Sequence, residues 1–209
     1  MEEVFDHVVY SKNVVEFVTV AKEYCSFAES AVQYSRKDFL SIAGRILPLL
    51  YLKAVVLPKV ESELDDPIEK TVDEMMYAQV KEGVEVKMGR FNDYLEVFSQ
   101  DMKYSETPVI AYVAEDLADI YQDVKDFISA YRIGVTEIMN DALSELVNNF
   151  ELYWGQRLVN TLRALHAVQY SGEDLEEEEG EQNQETSRST DNWFISRFQK
   201  DWQDEHEDF

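Results

Sequence analysis

TPVIAYVAEDLADIYQDVKDFISAYRIGVTEIMNDALSELVNNFELYWGQRLVNTLRALHAVQY (residues 107–170) reads as two long amphipathic helices hinged at Gly134. Thr107-Pro108 is a start signal, because proline is tolerated where a helix's first amides have no partner. The spacing predicts one helix from Pro108 to Ile133, closed by Gly134, and a second from Thr136 to about Tyr170. Met139, Leu143, Leu146, Phe150, Tyr153, Leu158, Leu162 and Leu165 form the apolar stripe of the second. With Asp116 set at zero and a turn of about 100° per residue, Asp119, Asp123 and Asp126 fall near 300°, 340° and 280°. Val113, Leu117, Ile120, Val124 and Phe127 occupy the adjoining arc. The aspartates, with Tyr112 among them, therefore border the buried face, while Glu115 lies nearer the outer pole.

Antiparallel packing about Gly134 sets positions that sum to about 268–270 side by side. That places Arg157 near Tyr112 and about one turn from Asp116, with Trp154 beside Asp116 and Gly155 open to close approach by another helix. Tyr112, Asp116, Asp119, Asp123 and Arg157 thus form the candidate polar cleft. Asp116–Arg157 reads as a structural ion pair in preference to part of an anion or metal site.

Upstream, the periodicity predicts a helix from Asn13, as cap, to about Ala31, with Cys25 a small core residue on its apolar face. A second helix follows Asp38 and runs to about Val56, kinked at Pro48 and apolar almost all round, so it is expected to be the most buried. Glu61 to Pro67 is an acidic connector. Thr71 and Glu74 have the spacing of a capping box, opening a helix to about Lys87 that Gly83 and Gly89 weaken. Residues 89–106 read as a helical turn or two within a packed aromatic loop. The fold class is an all-α, up-and-down bundle of about five main helices spanning residues 1–170, followed by an acidic disordered linker at 171–190. Residues 191–209 form a short amphipathic C-terminal helix whose Trp193, Phe194, Phe198 and Trp202 are the candidate partner-binding stripe, with docking onto its own chain preferred.

Net charge is −24, from 43 acidic and 19 basic side chains. A field of that sign repels phosphate backbones and anionic lipid, which argues against nucleic-acid and membrane partners, and attracts a basic protein partner or divalent cations; self-association is the other partner expected, through the C-terminal stripe. The longest apolar run, Ile46 to Leu57, is too short to span a bilayer. An acidic N-terminus and the lone cysteine lead to the expectation of no export signal and a cytoplasmic protein.

Chemistry-bearing patterns are weak. His7, His166 and His206 are scattered, and no glycine-rich phosphate loop or serine elbow is present. Asp65-Asp66-Pro67 echoes an aspartate-rich motif but sits in a connector. The alternative to a non-enzymatic interaction or structural domain is a magnesium-dependent nucleotide phosphohydrolase. In that reading Glu82 and Glu85 face Asp116 and Asp119 around Mg²⁺, loosely resembling the all-helical pyrophosphatases.

EDLADIYQDVKDF (115–127), YWGQRLVNTLRALH (153–166) and YSETPV (104–109) together resemble an uncharacterised, all-helical domain-of-unknown-function family found mainly in Bacteroidetes. The resemblance covers about residues 10–168. It implies a bacterial cytoplasmic helical domain and transfers no catalytic residue.

Overall fold

A computed structural model describes residues 7–96 and 109–176. The stripe Trp193, Phe194, Phe198 and Trp202, and residues 177–190 of the expected linker, lie outside the described residues. Among those described, five main helices carry the fold: α1 (Lys12–Glu29), α2 (Arg36–Val55), α3 (Glu74–Met88), α4 (Val113–Ile133) and a fifth broken into α5 (Thr136–Asn149) and α6 (Gly155–Gln169) by a π turn at Phe150–Trp154. A two-stranded antiparallel hairpin, β1 (Asp93–Leu95) and β2 (Ile110–Tyr112), precedes α4. The all-α reading holds, and no described helix is long and apolar enough to cross a membrane.

Local caps move several boundaries from their expected places. α1 starts at Lys12 behind an extended Ser11, and Asn13 instead donates its side-chain amide to Val56 O at 2.9 Å. α2 starts at Arg36 because the Ser35 side chain accepts from the Asp38 amide. α3 is capped by Asp73, which accepts from Met76 N at 2.8 Å. The Thr71 amide goes to Asp126 instead, so the expected Thr71–Glu74 box does not form. At Gly83 a Cβ would stand 3.5 Å from Val32 and 3.9 Å from Ala31, ordinary contact distances, so packing does not require the glycine there, and Gly89 ends the helix at φ +52°.

α4 is the most buried helix, with eleven buried residues against seven on α2. This reverses the expectation, because α2 presents one flank to solvent through its C-terminal half. The core joins Phe17 edge-on to Phe127 at 5.6 Å, Phe27 stacked on Phe39 at 4.8 Å, and Tyr24 donating to Leu117 O at 2.7 Å. Cys25 is buried there as expected, and burial pushes its thiol up to about 12.

Two further corrections concern the hairpin and the start of the linker. Residues 89–96 contain one helical turn (Gly89–Phe91) and then a strand, and α4 starts five residues after Pro108 because Ile110–Tyr112 pair with Leu95–Asp93. Asn92 then caps α4 from outside it: Val113 N donates to Asn92 O at 2.8 Å and Ala114 N to Asn92 Oδ1 at 2.9 Å. Residues 171–176, expected to open the disordered linker, are tied down. Arg36 Nη1 donates to Glu176 O at 3.2 Å, Arg90 pairs with Glu173 at 3.5 Å, and Leu175 packs on the core.

Candidate functional site

The aspartate edge of α4 faces α5, the π turn and α6 along a polar seam. Asn149 Nδ2 donates to Asp123 Oδ1 at 2.7 Å, and Tyr153 OH to Asp119 Oδ2 at 2.6 Å. Arg157 Nη1 donates to Asp116 Oδ1 at 2.6 Å, and Thr161 Oγ1 to Asp116 Oδ2 at 2.8 Å. Positions 149, 153, 157 and 161 recur every four residues, so one helical face supplies all four donors. Their partners sum to 272 or more, beyond the expected 268–270, and the wide π turn lies within this run.

The second side of the seam comes from α3 and the hairpin. Tyr77 OH donates to Asp119 Oδ1 at 2.8 Å, and the Tyr94 phenol donates to Asp116 Oδ2. Arg157 Nε stands 3.4 Å from Asp119, and its guanidinium lies over the Tyr153 ring at 4.5 Å. Asp116, only 1% exposed, therefore has three donors, and Asp119, at 18%, has two phenols and a guanidinium. Burial pushes the Asp116 carboxyl above the usual aspartate range, and the bonds from Tyr94, Thr161 and Arg157 offset that only in part. Asp123 is likewise raised by burial, with the Asn149 bond opposing. Burial and Asp119 together push the Tyr153 phenol up to about 12 and Tyr77 higher still. The phenols stay protonated at neutral pH and act as donors.

Of the five cleft residues predicted, the seam gathers Asp116, Asp119 and Arg157, with Asp123 at one end. Tyr112 is not the phenol that bonds Asp116; it closes the hairpin opposite Asp93, and Tyr94 takes that role. Glu82 and Glu85 are exposed on α3. No group of three or more His, Cys, Asp or Glu side chains among the described residues could hold a metal ion, so the four-carboxylate magnesium cluster is not formed. Trp154 is buried and donates to Leu146 O at 3.3 Å. A Cβ on Gly155 would stand 2.5 Å from Phe150 O, so this glycine serves the π turn itself and not an incoming helix.

Two further carboxylates hold the connector 57–73. Asp126 Oδ1 accepts from Thr71 N and Val72 N at 2.8 and 2.9 Å. Asp141 accepts from Glu63 N, Ser62 Oγ and Leu64 N at 2.6–3.0 Å. Burial alone would raise Asp141, but those bonds hold it below the ordinary range. Beside Asp123 and Asp126, a shallow dimple open to solvent, with room for about one water molecule, is bordered by Lys70, Glu145 and Asn149. Lys70 and Glu145 pair across it. Tyr94, Tyr77, Asn149, Thr161 and Asp141 had no sequence signal, since each reaches a partner on an element distant in sequence.

A family model described as a domain of unknown function (DUF5063) matches residues 8–171. The chain belongs to this family. Among solved structures it is similar to protein BF1032 from Bacteroides fragilis, at 44% identity and a TM-score of 0.71, covering 80% of this chain and 98% of that one. A search of the curated proteins finds no match. The resemblance read from residues 104–166 is thereby borne out, and the DUF5063 match extends past the end of α6 to Ser171.

Proposed function

We propose that this DUF5063 domain is a non-enzymatic cytoplasmic protein that works by binding other proteins through its helical surface. One observation carries the reading: the outward flank of α2 is apolar over its last two turns. Pro48, Leu49, Tyr51, Leu52, Val55 and Val56 are all exposed. Leu52 is 57% exposed and Val55 53%. Single exposed leucines are ordinary on a protein surface, whereas a contiguous apolar flank marks an interaction site.

The polar seam supports the same reading from the other direction. Its carboxylates are engaged by internal phenols, a hydroxyl, an amide and a guanidinium, so the seam acts as a clamp between helices. The net charge of −24 favours basic partners elsewhere on the surface. The aromatic positions Trp193, Phe194, Phe198 and Trp202 offer a second apolar stripe in sequence.

The test is native size in extract from cells making the protein at its natural level. The wild-type chain is expected to migrate as a complex larger than its monomer, and Leu52→Glu is expected to return it to monomer size. A wild-type chain that already migrates as a monomer overturns the proposal.

A further inference from the structure

We infer that residues 193–208 of this same chain seat on the outer flank of α2, and that a partner binds there by displacing them. The inference rests on the interaction reading above and adds how that face is regulated. On a helical wheel with Leu49 at zero, the exposed Lys37, Arg45, Pro48, Leu52, Val55 and Val56 fall between about 240° and 340°. Contacts fix the borders of this arc. Lys53 reaches Glu16 of α1 at 2.7 Å on one side, and Tyr51 meets the Phe150 ring at 5.3 Å on the other. Along the arc the character changes once: the N-terminal half carries cations, and the C-terminal half, from Pro48 to Val56, is apolar. Among the described residues neither Lys37 nor Arg45 pairs with an acid. Arg45 donates to Ser41 Oγ at 3.0 Å, and Asp38 is engaged by the Ser35 cap.

The occupant that fits carries an apolar face followed by carboxylates, and the sequence holds one in that order. Phe194, Phe198 and Trp202 recur every four residues, as Pro48, Leu52 and Val56 do. DWQDEHEDF (201–209) then supplies five carboxylates and no lysine or arginine. Laid antiparallel to α2, Trp202 meets Pro48, Phe198 meets Leu52 and Phe194 meets Val56, while the acids beyond Trp202 run on toward Arg45 and Lys37. The opposite direction would carry those acids past Val56, where Lys59 is already paired with Glu151 at 2.7 Å. A basic segment, or α2 of another copy, would set cations against Arg45.

Reach and concentration favour this segment over any free one. Glu176 O accepts from Arg36 Nη1 at 3.2 Å, so the segment sets out from the first turn of α2, about 30 Å of helix from Val56. Residues 177–193 reach about 55 Å when extended, enough to pass Val56 and return along the flank. The tether holds the segment at an effective concentration on the order of 1 mM, which the segment of a second copy does not reach in dilute solution.

Disulfide trapping in the purified full chain tests this. Val55→Cys with Ile195→Cys keeps every aromatic of the stripe and every acid, and Cys25 is buried out of reach. In dilute air-oxidised solution its intrachain disulfide is expected to close at least about tenfold faster than that of Val86→Cys with Ile195→Cys. Val86 is the more exposed of the two partners, but it lies on α3. Arg45→Glu and Trp202→Ser should each bring the Val55 rate down toward that of the control. A Val55 rate no faster than the control, or one indifferent to either change, overturns the inference. A disulfide that joins two chains also overturns it, since a second copy is then the occupant.

The interaction reading is measured separately, in extract. A larger complex that Leu52→Glu disperses keeps that reading even where trapping fails. Where trapping succeeds, Trp202→Ser is expected to raise the fraction of chain in that complex, because the flank is then open more of the time. A fraction that holds or falls overturns the displacement, and a chain that is monomeric in extract removes it together with the interaction reading.

Discussion

Arg157 donates to Asp116 at 2.6 Å and holds Asp119 within 3.4 Å, so one guanidinium joins two successive turns of α4 to α6. The carboxylate of Asp116 is almost fully buried and the guanidinium is half-buried, and this asymmetry decides what their loss would cost. Removing Arg157 leaves a desolvated charge with Tyr94 and Thr161 as its remaining donors among the described residues.

Arg157→Ala is expected to lower unfolding free energy by about 2–3 kcal/mol, less than a fully buried pair because water reaches the guanidinium. Arg157→Lys should recover only part, since a single ammonium cannot span both carboxylates as the planar fork does. Urea denaturation of the two variants measures both; equal stability of Arg157→Ala and wild type would remove the clamp from the account.

The π turn gives a sharper steric test. Gly155→Ala drives a methyl against the Phe150 carbonyl and ring, so a cost of about 1–3 kcal/mol is expected, with melting temperature as readout. Gly134→Ala differs in kind. Nothing lies near its Cβ, and only the left-handed φ of +78° opposes it, at about 1–2 kcal/mol.

Acid titration separates the two kinds of aspartate. Asp141 is held below its ordinary value, so its contribution is complete above the unfolded aspartate pKa of about 3.9 and is lost as pH falls through the lower folded value. Asp116 and Asp123 are raised, so the folded state binds their protons first and gains stability as pH falls toward the unfolded value. Thermal stability should therefore rise or hold on mild acidification and then drop steeply in strong acid. Asp141→Asn should flatten that final drop, and the amides of Glu63 and Leu64 should exchange faster in it. An unchanged acid limb would show that the connector does not depend on this carboxylate.

Asn92 links the hairpin to α4 through its carbonyl and its side chain. Asn92→Ala removes the side-chain acceptor from the Ala114 amide, an expected loss of about 1 kcal/mol. Amide exchange localises the effect: the first turn of α4 should open before its centre. Protection that falls evenly along α4 would argue against a capping role.

The helical hairpin at Gly134 was legible because its evidence is local. A 3.6-residue apolar period and a glycine in left-handed conformation depend on the residues themselves. The proximity of Arg157 to Asp116 followed from antiparallel geometry, and its one-turn tolerance absorbed the offset that the summed positions show. The start of α4 did not follow. Pro108 is a sound local signal, yet residues 110–112 gain more from pairing with 93–95, a partner no local pattern announces.

Composition and periodicity alone determined that this chain folds as helices, that α4 turns back at Gly134, and that aspartates edge its buried face. Tertiary structure alone decided which donors those aspartates meet, because Tyr77, Tyr94 and Thr161 come from elements distant in sequence. It alone also decided which apolar flank of α2 the other described helices leave uncovered. An all-round apolar helix is built to be covered on every side, and only the packing of its neighbours shows which side is left open.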